Sequence, residues 1–468
     1  MVDYITVIGG GLAGSEAAYQ IARRGIKVKL YEMKPAKFSP AHSNKDLAEI
    51  VCSNSFKSNL LTNACGLLKE ELRKLDSLLI KIADNTSVPA GQALAVDRDE
   101  FSRRVTQILT SNSLIEIINE EVTDIEEMAK NGIVIIATGP LTSERLAEQI
   151  GKLTGEDKLY FYDAAAPIVN KDSIDFDIAF YGDRYSQEKK KDESMEEWKE
   201  RLANTNSEEQ SYINLPMNQE EYESFCKELV EAEIVTLHDF EKKEIFEGCM
   251  PIEIMANRGI DTLRFGPLKP VGFDDPRTGR RPYALVQLRQ DDKQASIYNL
   301  VGFQTNLKFG EQKRVFSMIP GLQNAEFVKY GVMHRNTYIN STKLLDETYN
   351  LKANNNIYFA GQITGVEGYV ESISSGMVAA LNAVEQFKTF LACPKTSTNE
   401  TFLTCPKKFC FSENTVIGAL ARYISTPNEK FQPMNANFGI LPPLEGKKIK
   451  DKKQRYQMLA DRSLIEFE

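Results

Sequence analysis

Histidine is scarce in this chain of 468 residues, with three copies, and tryptophan occurs once, at Trp198. No apolar run approaches the ~20 residues of a membrane span. The N-terminus enters a strand pattern directly, without the basic region, apolar stretch and cleavage site of a secretory signal. A cytoplasmic chain with no membrane partner is therefore expected. Seven scattered cysteines, an odd number, come close together only at Cys405 and Cys410. That is no disulfide framework in a chain this long, so reduced thiols are expected, one or two of them available for chemistry. A basic excess is lacking too. The formal net charge of −9 excludes a surface coated in cations, and any nucleic-acid surface has to be a local patch. There is no internal repeat, no second Gly-x-Gly-x-x-Gly and no Cys-x-x-Cys beside Cys52, which argues against a disulfide reductase. No metal site is expected.

What is present is an ordinary globular composition, 42% hydrophobic and 26% charged, long enough for a large core and more than one domain. The organising stretch is Tyr4 to Glu32. Tyr4 to Ile8 reads as a buried parallel strand, and Gly9-Gly10-Gly11-Leu12-Ala13-Gly14 opens a helical pattern that Gly25 stops. Val28 to Tyr31 gives a second strand with Glu32 at its end, where a carboxylate can accept both hydroxyls of a ribose. Gly9 makes the tight turn, Gly11 lets the backbone approach a pyrophosphate, and Gly14 lets helix and strand pack closely. The free N–H groups of the helix start face the phosphates. Strand, turn, helix, strand and acid in this order point to a dinucleotide.

Met33 to Ile50 reads as a loop, leading to Val51-Cys52-Ser53-Asn54-Ser55, where small polar residues surround one thiol. Cys52 is either a buried structural cysteine or a reactive one. One helix is expected from Gly66 to Asp84, a strand at Ala93–Val96, a helix from Asp97 to Thr110, and strands at Leu114–Asn119 and Ile133–Ala137, the last ending at Gly139. Glu188 to Glu209 reads as a charged surface insertion containing Trp198, and Tyr222 to Glu233 as a helix carrying Cys226. Glu247 to Pro251 is a turn that presents Cys249. Arg258 to Arg289 holds seven cations against three carboxylates, among them Arg258, Arg264, Arg277, Arg280 and Arg281. With Phe265, Phe273 and Tyr283 interleaved, it reads as a surface for phosphates and bases or as a solvated loop with core aromatics. Lys447, Lys448 and Lys450 open a second basic patch of the same two readings. Near the end, a strand at Asn356–Ala360 runs into the glycine-rich turn Gly361 to Gly368, then a small-residue helix from Glu371. Gly361, Gly365, Glu371, Ser372 and Gly376 there suit the close approach of a bulky anionic ligand.

These residues carry a resemblance over almost the whole length. Val7 to Ala17, Val51 to Ser55, Val88 to Gly91, Phe161 to Pro167, Phe246 to Glu253, Tyr330 to Asn336 and Gly361 through Gly376 resemble, in order, the folate- and FAD-dependent tRNA uracil-5-methyltransferases (TrmFO). The resemblance implies an α/β fold: an FAD-binding, Rossmann-like doubly wound domain (1–162 and 268–468) with an inserted smaller α+β domain (163–267). It implies FAD as bound cofactor, 5,10-methylenetetrahydrofolate as methylene donor and NAD(P)H as reductant. The implied product is 5-methyluridine in the T-loop of tRNA, at position 54. The same chemistry on 23S ribosomal RNA is one alternative, and a flavin oxidoreductase without RNA another. The family's two functional cysteines fall on Cys52 and Cys249, not on Cys226. Bracketing by Gly248 and Pro251 favours Cys249 as nucleophile and Cys52 as its partner, with exchanged roles open. His334 is the expected stacking partner of the folate and His42 the alternative. The sequence departs from the family at Ser43, where a histidine is usual, and at Leu215, where a cysteine is usual. Its Glu188–Glu209 and Cys393–Cys410 segments are also longer than usual.

Overall fold

Five short apolar strands build one parallel sheet, in the order Ile115–Ile118, Lys27–Tyr31, Tyr4–Ile8, Val134–Ile136 and Ile357–Phe359. The computed structural model describes residues 3–39, 41–155, 159–184, 189–190, 192–203, 212–235, 250–392, 408–429, 431–446 and 449–468. Ile5, Val7, Val134, Ile135 and Ile136 are wholly buried, as strands covered by helices on both faces require. The helix Leu12–Ala22 packs against the long helix Tyr369–Ala392. Their approach depends on Gly376, where a Cβ would lie 2.2 Å from the carbonyl oxygen of Ala13. The strand order is that of a Rossmann-like, doubly wound unit, with its ligand crevice at the carboxyl ends of the strands.

The single helix expected over Gly66–Asp84 is two helices, Ala64–Lys74 and Leu78–Asn85. Asp76 turns the chain with φ 57°, and the Ser77 hydroxyl caps Ile80 N–H. Glu16, buried on the glycine-motif helix, accepts from the Ser77 hydroxyl at 2.9 Å and from Leu79 N–H at 3.1 Å. A carboxylate at a helix start satisfies donors the helix cannot, so the break is fixed by a residue distant in sequence.

A second lobe is built on a six-stranded antiparallel sheet. Its order is Phe180–Tyr181, Tyr212–Met217, Ala284–Gln290, Ile297–Leu300, Ile168–Asn170 and Phe327–Lys329. Its core gathers Tyr222, Phe225, Phe303 and Phe316 and extends from Ala166 to Ala325. The strands at 284–290 and 297–300, expected in the cofactor domain, pair in this sheet instead, because their apolar faces complete that core. We therefore propose a boundary near residue 330 in place of 267. The two lobes are joined by an antiparallel ribbon, Leu159–Ala164 with Met333–Tyr338, in which Ala164 faces Met333. Within the charged segment Met195–Ala203 is helical, and Trp198 is fully buried rather than a surface residue. Among the described residues no helix is long and apolar enough to cross a membrane.

Candidate functional site

A cavity of about 160 Å³ opens over the carboxyl ends of the parallel strands, lined by Gly9, Gly10, Gly11, Leu12, Ala13, Glu32, Gly139, Gly361 and Ser372. Gly9 (φ 102°) and Gly139 (φ 67°) take backbone conformations that side chains disfavour. A Cβ on Gly11 would meet nothing within 4 Å, and the helix it opens has no side-chain cap. Uncapped N–H groups beside open space are the cradle that a pyrophosphate fills. Glu32 is buried, with one carboxylate oxygen accepting Gly10 N–H at 2.8 Å and the other Lys34 N–H at 3.0 Å. A carboxylate with two such bonds keeps lone pairs for ribose hydroxyls, so these residues fit a dinucleotide such as FAD.

The other residues expected at the cofactor do different work. Gly14 is a packing residue, since a Cβ there would lie 1.8 Å from Gly9 O. Gly376 packs the two helices, and Gly365 (φ 84°) leaves room for the Phe431 ring. Glu371 faces a second cavity, of about 240 Å³. It is buried, and one of its oxygens accepts Ala436 N–H at 2.9 Å and lies 3.5 Å from Lys57 Nζ.

That second cavity adjoins the first: Val51, Pro140, Leu141, Gln362 and Tyr369 line both. Cys52 lines it, half-buried, with its Sγ 3.8 Å from the carbonyl oxygen of Ala164 and its N–H donating to the Tyr369 hydroxyl at 3.1 Å. Arg98 and Arg289 hold the loop around it. Arg98 donates to the carbonyls of Ile50 and Cys52, and Arg289 to the side chains of Asn54 and Ser53. Burial pulls both guanidinium pKa values down. At Arg98 the adjacent Asp291 carboxylate outweighs this and holds it above its ordinary value, whereas Arg289 stays below. Lys329 is lowered by burial and then by Arg98. The chemistry on offer is a thiol lining a cavity that adjoins the dinucleotide cradle, set among cations.

The family model described as "Glucose inhibited division protein A" matches residues 4–390. A protein of Acetivibrio thermocellus named methylenetetrahydrofolate–tRNA-(uracil-5-)-methyltransferase TrmFO is 56% identical over 467 residues, 99% of this chain and 98% of the relative. A protein of Enterococcus faecalis with the same name is 53% identical over 465 residues, again 99% and 98%. This chain belongs to the TrmFO family. Two crystal forms of GidA from Aquifex aeolicus share the fold at 15% identity. Their TM-scores are 0.63 and 0.65, covering 99% and 98% of this chain and 73% and 74% of GidA.

For a TrmFO chain the second expected thiol is Cys249, and residues 236–249 lie outside those described. Beside them, Met250 is buried and Ile252 N–H donates at 2.7 Å to the carbonyl of Gln304, which lines the second cavity. His334 lies in the ribbon strand Met333–Tyr338, opposite Asp163, and its side chain is outside the described set. Asn336, two residues on, lines the second cavity. His42 lines the first, its ring beside the Ser39 hydroxyl, and its pKa is lowered by burial and by Lys34. Cys226 is buried in the second lobe's core, its thiol pushed up to about 11 by burial.

Of the expected RNA contacts, Arg258, Arg277, Arg280, Arg281 and Lys450 are exposed. Arg277 is paired with Asp275 at 2.9 Å. Arg264 stacks on the Tyr283 ring at 4.1 Å and pairs with Asp261. Phe265 is 72% exposed, whereas Phe273 is core. Lys447 and Lys448 lie outside the described residues. Sequence reasoning passed over Arg98, Asp291 and Tyr369. Arg98 reads only as a helix start, and the other two carry no local signal.

Proposed function

We propose that this chain transfers a methylene from 5,10-methylenetetrahydrofolate to C5 of a uracil in RNA and reduces it to methyl, forming 5-methyluridine in the T-loop of tRNA, at position 54. The observation that carries this reading is the adjacency of the dinucleotide cradle to a cavity holding a thiol. Bound FAD, reduced by NAD(P)H, supplies the hydride for this chemistry. The cradle residues bind and orient the cofactor, with Gly9 to Ala13 at its phosphates and Glu32 at its ribose. Uracil C5 is a poor nucleophile until a thiolate adds to C6, and a base must later take the C5 proton. Cys52 and Cys249 serve these two roles. Tyr369 and the Arg98 fork hold the main chain of Cys52, and His334 stacks on the folate. The exposed cations Arg258, Arg280 and Arg281, together with Phe265, hold a substrate whose target base has left its stack.

Incubating the flavin-loaded protein with methylenetetrahydrofolate, NAD(P)H and unmodified tRNA, with a 23S ribosomal transcript as a parallel arm, should yield 5-methyluridine in the tRNA arm. Absence of the product from both arms overturns the reading. Cys52→Ala should abolish product while flavin content stays at the wild-type level. A variant with residual turnover would remove Cys52 from the chemistry.

A further inference from the structure

The loop carrying Cys52 is anchored to the second lobe through the Arg98–Asp291 ion pair and through hydrogen bonds of Ser53 and Asn54. Arg98, first residue of the helix Arg98–Thr110, donates from Nη1 to Ile50 O at 3.0 Å, from Nη2 to Cys52 O at 2.9 Å, and from Nε to Asp291 at 2.9 Å. The Asp291 side chain is 2% exposed and follows directly on the antiparallel strand Ala284–Gln290. The next contacts come from the same strand. Gln290 O accepts from Asn54 Nδ2 at 2.9 Å, and Arg289 donates to Asn54 Oδ1 at 3.0 Å. No other arginine fork among the described residues spans the main chain on both sides of Val51.

We propose that the Arg98–Asp291 pair is a positioning device, through which the second lobe sets both the place of the Cys52 sulfur and the charge that favours its thiolate. The proposal rests on Cys52 being a reactive thiol. A planar guanidinium can bind two carbonyls and a carboxylate at once, which a lysine ammonium on a flexible stem does not reproduce. A cation near a thiol favours the thiolate, and a carboxylate behind that cation weakens the effect. Cys52 is among the electrostatic neighbours of both Arg98 and Lys329. The loop also meets the Tyr369 hydroxyl from the long helix and the Arg289 guanidinium from the antiparallel sheet, and Lys57, Glu367 and Glu371 line the same cavity as Cys52. Glu49 and Asp291 oppose the lowering at Lys329. Two carbonyls retain Arg98 when Asp291 loses its charge, so the members of the pair have opposite effects on the sulfur.

The test is the rate of iodoacetamide alkylation of Cys52 in the flavin-loaded protein, followed by peptide mapping across a pH series. Arg98→Met should raise the midpoint of the rate profile and slow alkylation at neutral pH roughly tenfold. Asp291→Asn should lower the midpoint. Arg98→Lys should keep the midpoint near wild type and lose methyl transfer through lost positioning. Breaking a buried pair from one side destabilises the fold. The double variant Arg98→Met/Asp291→Asn removes both charges, and its midpoint should fall between those of the two single variants. A structural role alone moves the single variants in the same direction. That result, or a midpoint unmoved in all of them, overturns the proposal. Alkylation is read without turnover, so a wild-type protein that makes no 5-methyluridine refutes the functional reading by itself and leaves this test standing.

Discussion

Replacing Gly11 by leucine should separate cofactor binding from folding. Gly11 sits at the helix start with φ −72°, a conformation open to any residue, and a Cβ there would meet nothing within 4 Å. The apoprotein should therefore lose only what an apolar helix-start residue costs, about 1 kcal/mol. That is a few degrees of thermal midpoint at most. In the cradle, however, the new side chain occupies the space of the pyrophosphate. Wild-type protein in FAD at a hundredfold excess over its dissociation constant gains about 2.7 kcal/mol from binding, and the variant should gain nothing. Gly14→Ala is the contrasting control. Its Cβ would lie 1.8 Å from Gly9 O, so strand and helix must part, at a cost of about 3 kcal/mol or more with or without FAD. Thermal unfolding with and without added FAD, together with flavin absorbance, reads both variants. Stoichiometric flavin in Gly11→Leu, or an apo stability as low as that of Gly14→Ala, would refute the reasoning.

Glu71 should give the C-terminal helices a pH dependence. Its carboxylate accepts Val416 N–H at 2.7 Å, Ile417 N–H at 2.9 Å and the Ser463 hydroxyl at 2.6 Å, and burial pushes its pKa up to about 7. A folded-state value raised above the unfolded one contributes stability that is complete below about 4.5 and lost as pH rises through about 7, at most about 3 kcal/mol. Hydrogen exchange in Val416–Ser425 and Lys452–Ile465, corrected for intrinsic rates, should therefore be slower at pH 5.5 than at pH 8, and Glu71→Gln should abolish the difference. Phe265, 72% exposed beside Arg264, should contribute one stacked base. Phe265→Ala is expected to weaken RNA binding about tenfold at fixed salt without altering flavin content or thermal midpoint, and unchanged affinity would remove it from the interface.

The dinucleotide unit was legible because its information is local: Tyr4 to Glu32 holds the strand, turn, helix and acid within one contiguous stretch. The break at Asp76–Ser77 was not, because apolar periodicity continues through it and the capping carboxylate, Glu16, belongs to another helix. The boundary proposed here for the second lobe differs from the one expected from the sequence for a similar reason. Strand 284–290 carries the same apolar pattern in either sheet, and only its pairing with Tyr212–Met217 decides. Cys52 is singled out by the family resemblance, its sequence setting alone leaving a structural cysteine open. Arg98 and Asp291 were not legible, since two charges so far apart in sequence meet only when both lobes are in place. Trp198 was hidden by its charged neighbours, which cover the outer face of a helix whose inner face is core.

The ribbon between the lobes has a further consequence for how such a chain can be cut and rejoined. Ala164 and Met333 are paired neighbours in antiparallel strands, about 5 Å apart at their Cα atoms, so everything between them leaves and returns at one doorstep. A two-residue turn could bridge that gap and shed the whole antiparallel lobe as a cassette, leaving a sheet with all five parallel strands intact. The shortened chain would keep the glycine cradle and Glu32, yet Arg98 would have lost its counter-ion and Asn54 both of its lobe contacts. Modularity of the backbone here does not extend to the thiol, whose surroundings are completed by the very cassette that topology makes removable.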